Sequence, residues 1–148
     1  MTEIAARDIH SFIEDYATMM NAGVAGEAPE ATRLAALFAQ DFIAASPAGV
    51  MAGRNEGLGE IIAQGIEGYR KMGGTAFVAE HVAIDELAPA SFMATVDWRF
   101  DYRRPGDGRT GSIAFTNRYF VSTADGTPKI FAWVTPDEQA ALAEHGLG

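Results

Sequence analysis

Ile113, Phe115, Asn117, Tyr119 and Val121 fall on one side of a strand, because strand side chains alternate with period two, and Asn117 is the polar exception on that row. Burying an amide without a partner costs ~1–3 kcal/mol, so the position implies a structural hydrogen bond or a pocket that supplies a ligand or water. By the same period Glu80 falls with Val78, Val82 and Ile84. A carboxylate desolvated among them has its pKa raised toward the range of a general acid or base, which makes Glu80 the best acid/base candidate. His81 is suited to proton transfer but points to the opposite face, and the two share a pocket only if a bulge intervenes. Each has an ordinary reading: a backbone-bonded amide for Asn117, an ion pair for Glu80, a surface position for His81. His10, His81 and His145 lie on separate elements without metal-ligand spacing, and there is no cysteine. Neither a metal nor a cofactor is expected.

These residues need a sheet and something to cover it. Strands are expected at about 76–86, 91–103, 111–122 and 128–135, joined by short turns into an antiparallel meander. The second strand separates Phe92, Ala94, Val96, Trp98 and Phe100 from Met93, Thr95, Asp97, Arg99 and Asp101, which assigns the aromatic row to the pocket or core. In the last strand Phe131, Trp133 and Thr135 alternate with Ile130, Ala132 and Val134, so both faces are largely apolar; Trp133 is placed in the pocket and the other row at a dimer interface.

Ahead of the strands, Ile9, Phe12, Ile13, Tyr16, Ala17 and Met20 mark an amphipathic helix over about 3–21. A second helix starts near Pro29 and runs toward Asp41, and a short hairpin turns at Ser46-Pro47-Ala48-Gly49. A third helix is expected from an Asn55 cap to about Met72. Thr135-Pro136-Asp137-Glu138 reads as a capping box for a terminal helix over 136–145. Helices first and strands afterwards indicate an α+β domain with helices covering one face of a curved sheet.

At 148 residues and 48% hydrophobic, the chain suits one domain, residues 1–148, with a real core. A formal charge of −9 and a sequence pI near 4.6 oppose binding to phosphate backbones and anionic membranes. Met1-Thr2-Glu3-Ile4 is followed by Arg7 and Asp8 with no long apolar run, which predicts neither a signal peptide nor a membrane span and points to the cytoplasm.

The order helix, helix, short hairpin, helix, long meander resembles the nuclear transport factor 2-like superfamily, which includes ketosteroid isomerase and the SnoaL-like polyketide cyclases. The likeness rests on Leu37-Phe38-Ala39-Gln40-Asp41-Phe42, on Ser46-Pro47-Ala48-Gly49 with Gly53-Arg54, on Val96-Asp97-Trp98, and on Asp125-Gly126 before Lys129-Ile130. It implies a sheet wrapped into a cone whose mouth holds a small molecule, with homodimerisation through the outer sheet face. It also implies that Tyr16 and Asn117 occupy the two positions that contact a substrate oxyanion, and that Ser46 stands where the isomerases carry their carboxylate base. A hydroxyl without a neighbouring base takes up no proton at pH 7, which disfavours ketosteroid isomerisation.

Three functions compete at this stage. The first is a small-molecule binding protein, with Ser46, Phe92, Trp98, Phe115, Tyr119 and Trp133 lining the pocket and Tyr16 with Asn117 orienting the one polar group of an apolar ligand. In the second, a cofactor-independent enzyme of isomerase or lyase type, Glu80 acts as acid or base and Tyr16 with Asn117 stabilises an enolate-like oxygen. The third is a protein-interaction domain.

Overall fold

The computed structural model describes residues 4–147. Along the chain run α1 (Ala6–Val24), α2 (Ala31–Ala35), β1 (Phe38–Ser46), β2 (Gly49–Arg54), α3 (Leu58–Lys71), β3 (Gly74–Ala88), β4 (Ser91–Arg103), β5 (Thr110–Ser122), β6 (Lys129–Val134) and α4 (Glu138–Glu144). The strands form one six-stranded sheet in the order β2-β1-β6-β5-β4-β3. The last four make the expected antiparallel meander, and the hairpin β1–β2 joins it through a parallel pairing of β1 with β6. The α+β class holds. The expected start of α1 at residue 3 lies outside the described residues.

The inner face of the sheet follows the alternating patterns closely. Phe92, Ala94, Val96, Trp98, Phe100 and Tyr102 are all buried, as are Ile113, Asn117, Tyr119 and Val121 on β5. Against them α1 lays Ile9, Ile13, Tyr16, Ala17 and Met20, the apolar stripe that its 3.6-residue period creates. Asn21 extends this contact by accepting a hydrogen bond from the Phe77 N–H at 2.9 Å.

The expected second helix ends early. Its last turn would contain Phe38, but the Leu37 carbonyl accepts from the Ile130 N–H and Phe38 pairs with Ile130, so β6 claims this stretch as strand. Asn55 closes the junction from the other side. Instead of capping α3, its amide donates to the carbonyls of Ala35 (2.8 Å) and Phe38 (3.1 Å), satisfying an acceptor at the α2 terminus. The residue before α3 is Gly57, with φ +77°, a conformation that favours glycine. Within α3, Gly59 lies so close to α2 that a Cβ there would collide with the Ala31 carbonyl oxygen.

Two bulges set which residues face inward. In β3, Ala79 pairs with Trp98 and His81 with Asp97, so Glu80 is the extra residue between them. Phe77 and Ala79 face inward before it; after it the inward parity passes to Val82 and Ile84. The expectation that Glu80 shares their face is therefore corrected: the bulge turns it to the outer side, where its exposed carboxylate accepts from Arg99 at 2.7 Å. In β6, Phe120 pairs with Ala132 and Val121 with Ile130, which leaves Phe131 as the extra residue. Ile130, fully buried, and Trp133 then both face inward, which resolves the two apolar rows of this strand.

The outer face is polar along β4 and β5, where Arg99 also donates to Asp101 and Thr116 donates to Asp97. It becomes apolar toward β6 and β1. There Phe131, Val134 and Ile43 are exposed, and the Phe120 and Phe131 rings lie 6.3 Å apart. Among the described residues no helix is long and apolar enough to cross a membrane.

Candidate functional site

Between α1, α3 and the concave face of the sheet lies a cavity of about 180 Å³. Tyr16 and Met20 reach it from α1, Ile62 and Tyr69 from α3, Phe77, Trp98, Asn117 and Tyr119 from the meander, and Phe38 and Trp133 from the parallel pair. Thr135 and Glu138, on either side of the link into α4, complete the wall. Tyr16 stands at the centre of the aromatic lining, edge-on to Phe38, Trp98 and Tyr119 with ring centroids 5.8–6.2 Å apart.

Polar groups converge on one atom. The Tyr119 phenol oxygen accepts from the Trp98 indole N–H and from the Asn117 amide N–H, each at 3.1 Å. The Tyr16 ring lies beside the same group, its centroid 5.8 Å from that of Tyr119. Burial pushes the Tyr119 phenol up, while hydrogen bonds from Asn117, Trp98 and Tyr16 hold it down. Tyr16 is raised well above the ordinary tyrosine value, first by burial, then by the charge and hydrogen bonding of Tyr119 and the charge of Glu138. Both phenols are thus neutral at physiological pH. Two donors are spent on Tyr119, and the other end of the Asn117 amide is left over: Oδ1 is buried and has no hydrogen-bond partner.

That arrangement changes the expected roles. Tyr16 and Asn117 do sit together on the cavity wall, and the oxygen to which Asn117 donates is that of Tyr119. The Glu138 carboxyl is the titratable acid on the same wall.

Glu138 is the titratable group that sequence reasoning missed. The capping-box reading gave it the task of bonding back to the helix start, but Asp137 is the cap and accepts from the Ala140 N–H at 2.9 Å. Glu138 becomes the first residue of α4, with its side chain on the cavity wall. Burial alone holds its carboxyl above the usual glutamate range, with no cation opposing the shift. The signal available in the sequence was Asp137, an N-cap residue as good as Thr135.

The other expected site residues distribute as follows. Trp98, Tyr119 and Trp133 line the cavity with Tyr16 and Asn117. Phe92 is 1% exposed and belongs to the core, while Phe115 packs edge-on to Phe77 at 5.7 Å; neither reaches the cavity. Ser46 is exposed at the hairpin end, where its hydroxyl accepts from the Ala48 N–H, and it borders a separate outer hollow that touches Trp133 and Thr135. Glu80 and His81 are exposed on the bulged part of β3. Phe38, Tyr69 and Phe77, absent from the sequence expectation, take their places in the lining. Among the described residues no group of three or more His, Asp or Glu is placed to hold a metal ion.

Two outcomes follow from these environments. Replacing Asn117 by Leu removes one net hydrogen bond, ~0.5–1.5 kcal/mol, but also removes an unpartnered buried acceptor that costs ~1–3 kcal/mol. Asn117→Leu is therefore expected to stay folded, with stability in denaturant unchanged or raised; a loss above ~3 kcal/mol would show that the amide is structural. For Glu138 the folded state favours the protonated form, so its contribution to stability is full below the ordinary carboxylate range and is lost as pH rises through the elevated pKa. Glu138→Gln should thus melt higher than the wild type at neutral pH, the gain closing in acid. An equal or lower melting temperature at neutral pH contradicts the assigned burial.

Comparison with known proteins places this geometry. Among curated proteins none matches the chain. An NTF2-like protein with a cystatin-like fold from Novosphingobium aromaticivorans superposes with a TM-score of 0.66 at 17% identity, covering 93% of this chain and 86% of that one. The β subunit of benzoate 1,2-dioxygenase from Burkholderia mallei gives 0.65 at 14% identity, covering 96% of each chain. A ketosteroid isomerase-like protein from Erwinia carotovora atroseptica gives 0.61 at 13% identity, covering 88% and 94%. These likenesses establish the cone-shaped α+β fold. Residues 6–138 match the family described as NTF2-like protein (DUF6841), and the chain belongs to that family.

Proposed function

We propose that this protein binds a small molecule in the cavity between α1, α3 and the sheet. One observation carries the reading: a buried amide, Asn117, and a desolvated carboxyl, Glu138, meet with Tyr16 and Trp98 on the wall of one cavity whose lining is otherwise mainly aromatic. The ligand is small and largely apolar with one polar end. At about 180 Å³ the cavity lies below the ~300–1,000 Å³ of sites that take drug-sized molecules. The similar structures bear names as unlike as a dioxygenase subunit and an isomerase-like protein, so the fold does not choose among functions and the site must.

A second reading is favoured by Glu138. A desolvated carboxyl on the wall of an aromatic cavity is the group that a cofactor-independent proton transfer needs, and it takes the place that the sequence reading gave to Glu80. Binding is common to both readings. A thermal-shift and native mass-spectrometry screen of small aromatic compounds should yield at least one that raises the melting temperature of the wild type and adds its mass, with the effect lost in Asn117→Leu. No hit, or equal shifts in the variant, contradicts the cavity reading.

We also propose that two copies associate through the outer sheet face, supported by the exposed Ile43, Phe131 and Val134 beside the polar strip of β4 and β5. Light scattering should then give about twice the 15.8 kDa chain mass, falling to one chain when Phe131 is replaced by Glu; a wild-type mass of one chain rules this out.

A further inference from the structure

We infer that the bound molecule is longer than the cavity: its polar-ended head lies inside, and an uncharged apolar tail passes Thr135 onto the inner face of the β1–β2 hairpin. This deepens the cavity reading and rests on it. The site it adds is the outer hollow bordered by Ala44, Ser46, Ala48, Met51, Trp133 and Thr135.

The hollow and the cavity adjoin. Trp133 and Thr135 stand on the walls of both, and Thr135 also lines a third depression, with Ser46, Ala48 and Glu138, at the link into α4. Phe42 stacks on Trp133, ring centroids 5.0 Å apart and planes at 24°, which fixes the indole at the boundary. The lining of the hollow comes from β1, β2, β6 and the segments beside them, with no residue of α1 or α3. The roof of the cavity therefore stops at this boundary while its floor continues.

Strand parity turns one row of the hairpin toward that floor. Phe42 and Ala44 share a face by alternation, and Ala44 pairs directly with Met51, so Met51 lies on the concave side with Trp133. Ile43 takes the opposite side, on the outer face proposed for association. Met51 is 64% exposed, and pairing of two copies through the outer face leaves it so. Ala44, Ala48 and Gly49 are too short to fill the space around it, and an unbranched thioether adapts to tails of varied shape. Among the described residues no Lys, Arg, Asp or Glu lines the hollow, which suits an uncharged chain.

Size agrees. The cavity alone, at about 180 Å³, is smaller than the ~300–1,000 Å³ of sites for drug-sized molecules, and the hollow of about 400 Å³ brings the joined space into that range. A tail laid on an open floor is covered on one side only. Each methylene there gains about twofold in affinity, against about fourfold for one fully buried.

Calorimetric titration of the full chain with phenol, 4-ethylphenol and 4-hexylphenol reads the extension. With four more methylenes, 4-hexylphenol should bind about tenfold tighter than 4-ethylphenol. Met51→Asp should weaken 4-hexylphenol about tenfold and leave phenol within about twofold, while its thermal unfolding shows a folded protein. Ile43→Asp, next to Ala44 but on the other face, should leave both affinities unchanged. Phenol binding without a gain along the series overturns the tail site and leaves the cavity reading standing. A full gain in Met51→Asp, equal losses of phenol and 4-hexylphenol there, or the same loss in Ile43→Asp each overturns it too. Failure of all three phenols to bind also overturns it, and the broader screen then decides the cavity reading. A mass that falls from two chains to one in Met51→Asp but not in Phe131→Glu would seat a second copy in the hollow, which rules the tail out.

Discussion

The hydroxyl oxygen of Tyr119 is the point on which the interior of this protein depends. It is buried, it belongs to the central meander, and donors from β4 and β5 converge on it beneath the Tyr16 ring of α1. Meeting the Trp98 and Asn117 donors in one place lets an indole and an amide be buried where an unpaired polar group would cost ~1–3 kcal/mol each. The same convergence decides what remains unmet. An amide has donors on one side and an acceptor on the other, so anchoring Asn117 by its nitrogen leaves its oxygen buried without a partner. A neutral aromatic core would need none of this.

Much of the scaffold could be read from the residues. The alternations of β4 and β5 placed Trp98, Asn117 and Tyr119 on one inner face, and the helical stripe of α1 placed Tyr16 opposite them. Both readings rest on strict periods, and those elements keep them. Errors arose where a period breaks. Glu80 was assigned inward because a strand was taken as continuous, and one extra residue reverses every parity beyond it. The same device at Phe131 made both faces of β6 look buried when Ile130 and Trp133 in fact share one. No turn residue or charge pattern in either stretch announces the bulge.

Glu138 was hidden for a different reason. Thr135 and Asp137 are equally good helix caps, and the choice between them rotates the glutamate from a backbone contact to a cavity wall. Long-range packing makes that choice, with Leu142 and Leu147 buried and the His145 ring hydrogen-bonded to the Tyr102 hydroxyl at 3.0 Å. Local sequence has no access to it. The carboxylate that the fold brings to the cavity therefore comes from the last helix, and the serine at the hairpin, exposed and bonded to its own turn, has no part in the cavity wall.

Nuclear magnetic resonance of the Trp98 indole and Asn117 side-chain N–H groups in Tyr119→Phe tests the central claim most directly, because that substitution deletes one oxygen and leaves the ring. Loss of a shared acceptor predicts that both sets of protons move upfield together relative to the wild type. Indole and amide resonances that stay in place would show that the Tyr119 oxygen does not hold these donors, and that the unpartnered Asn117 oxygen has another origin.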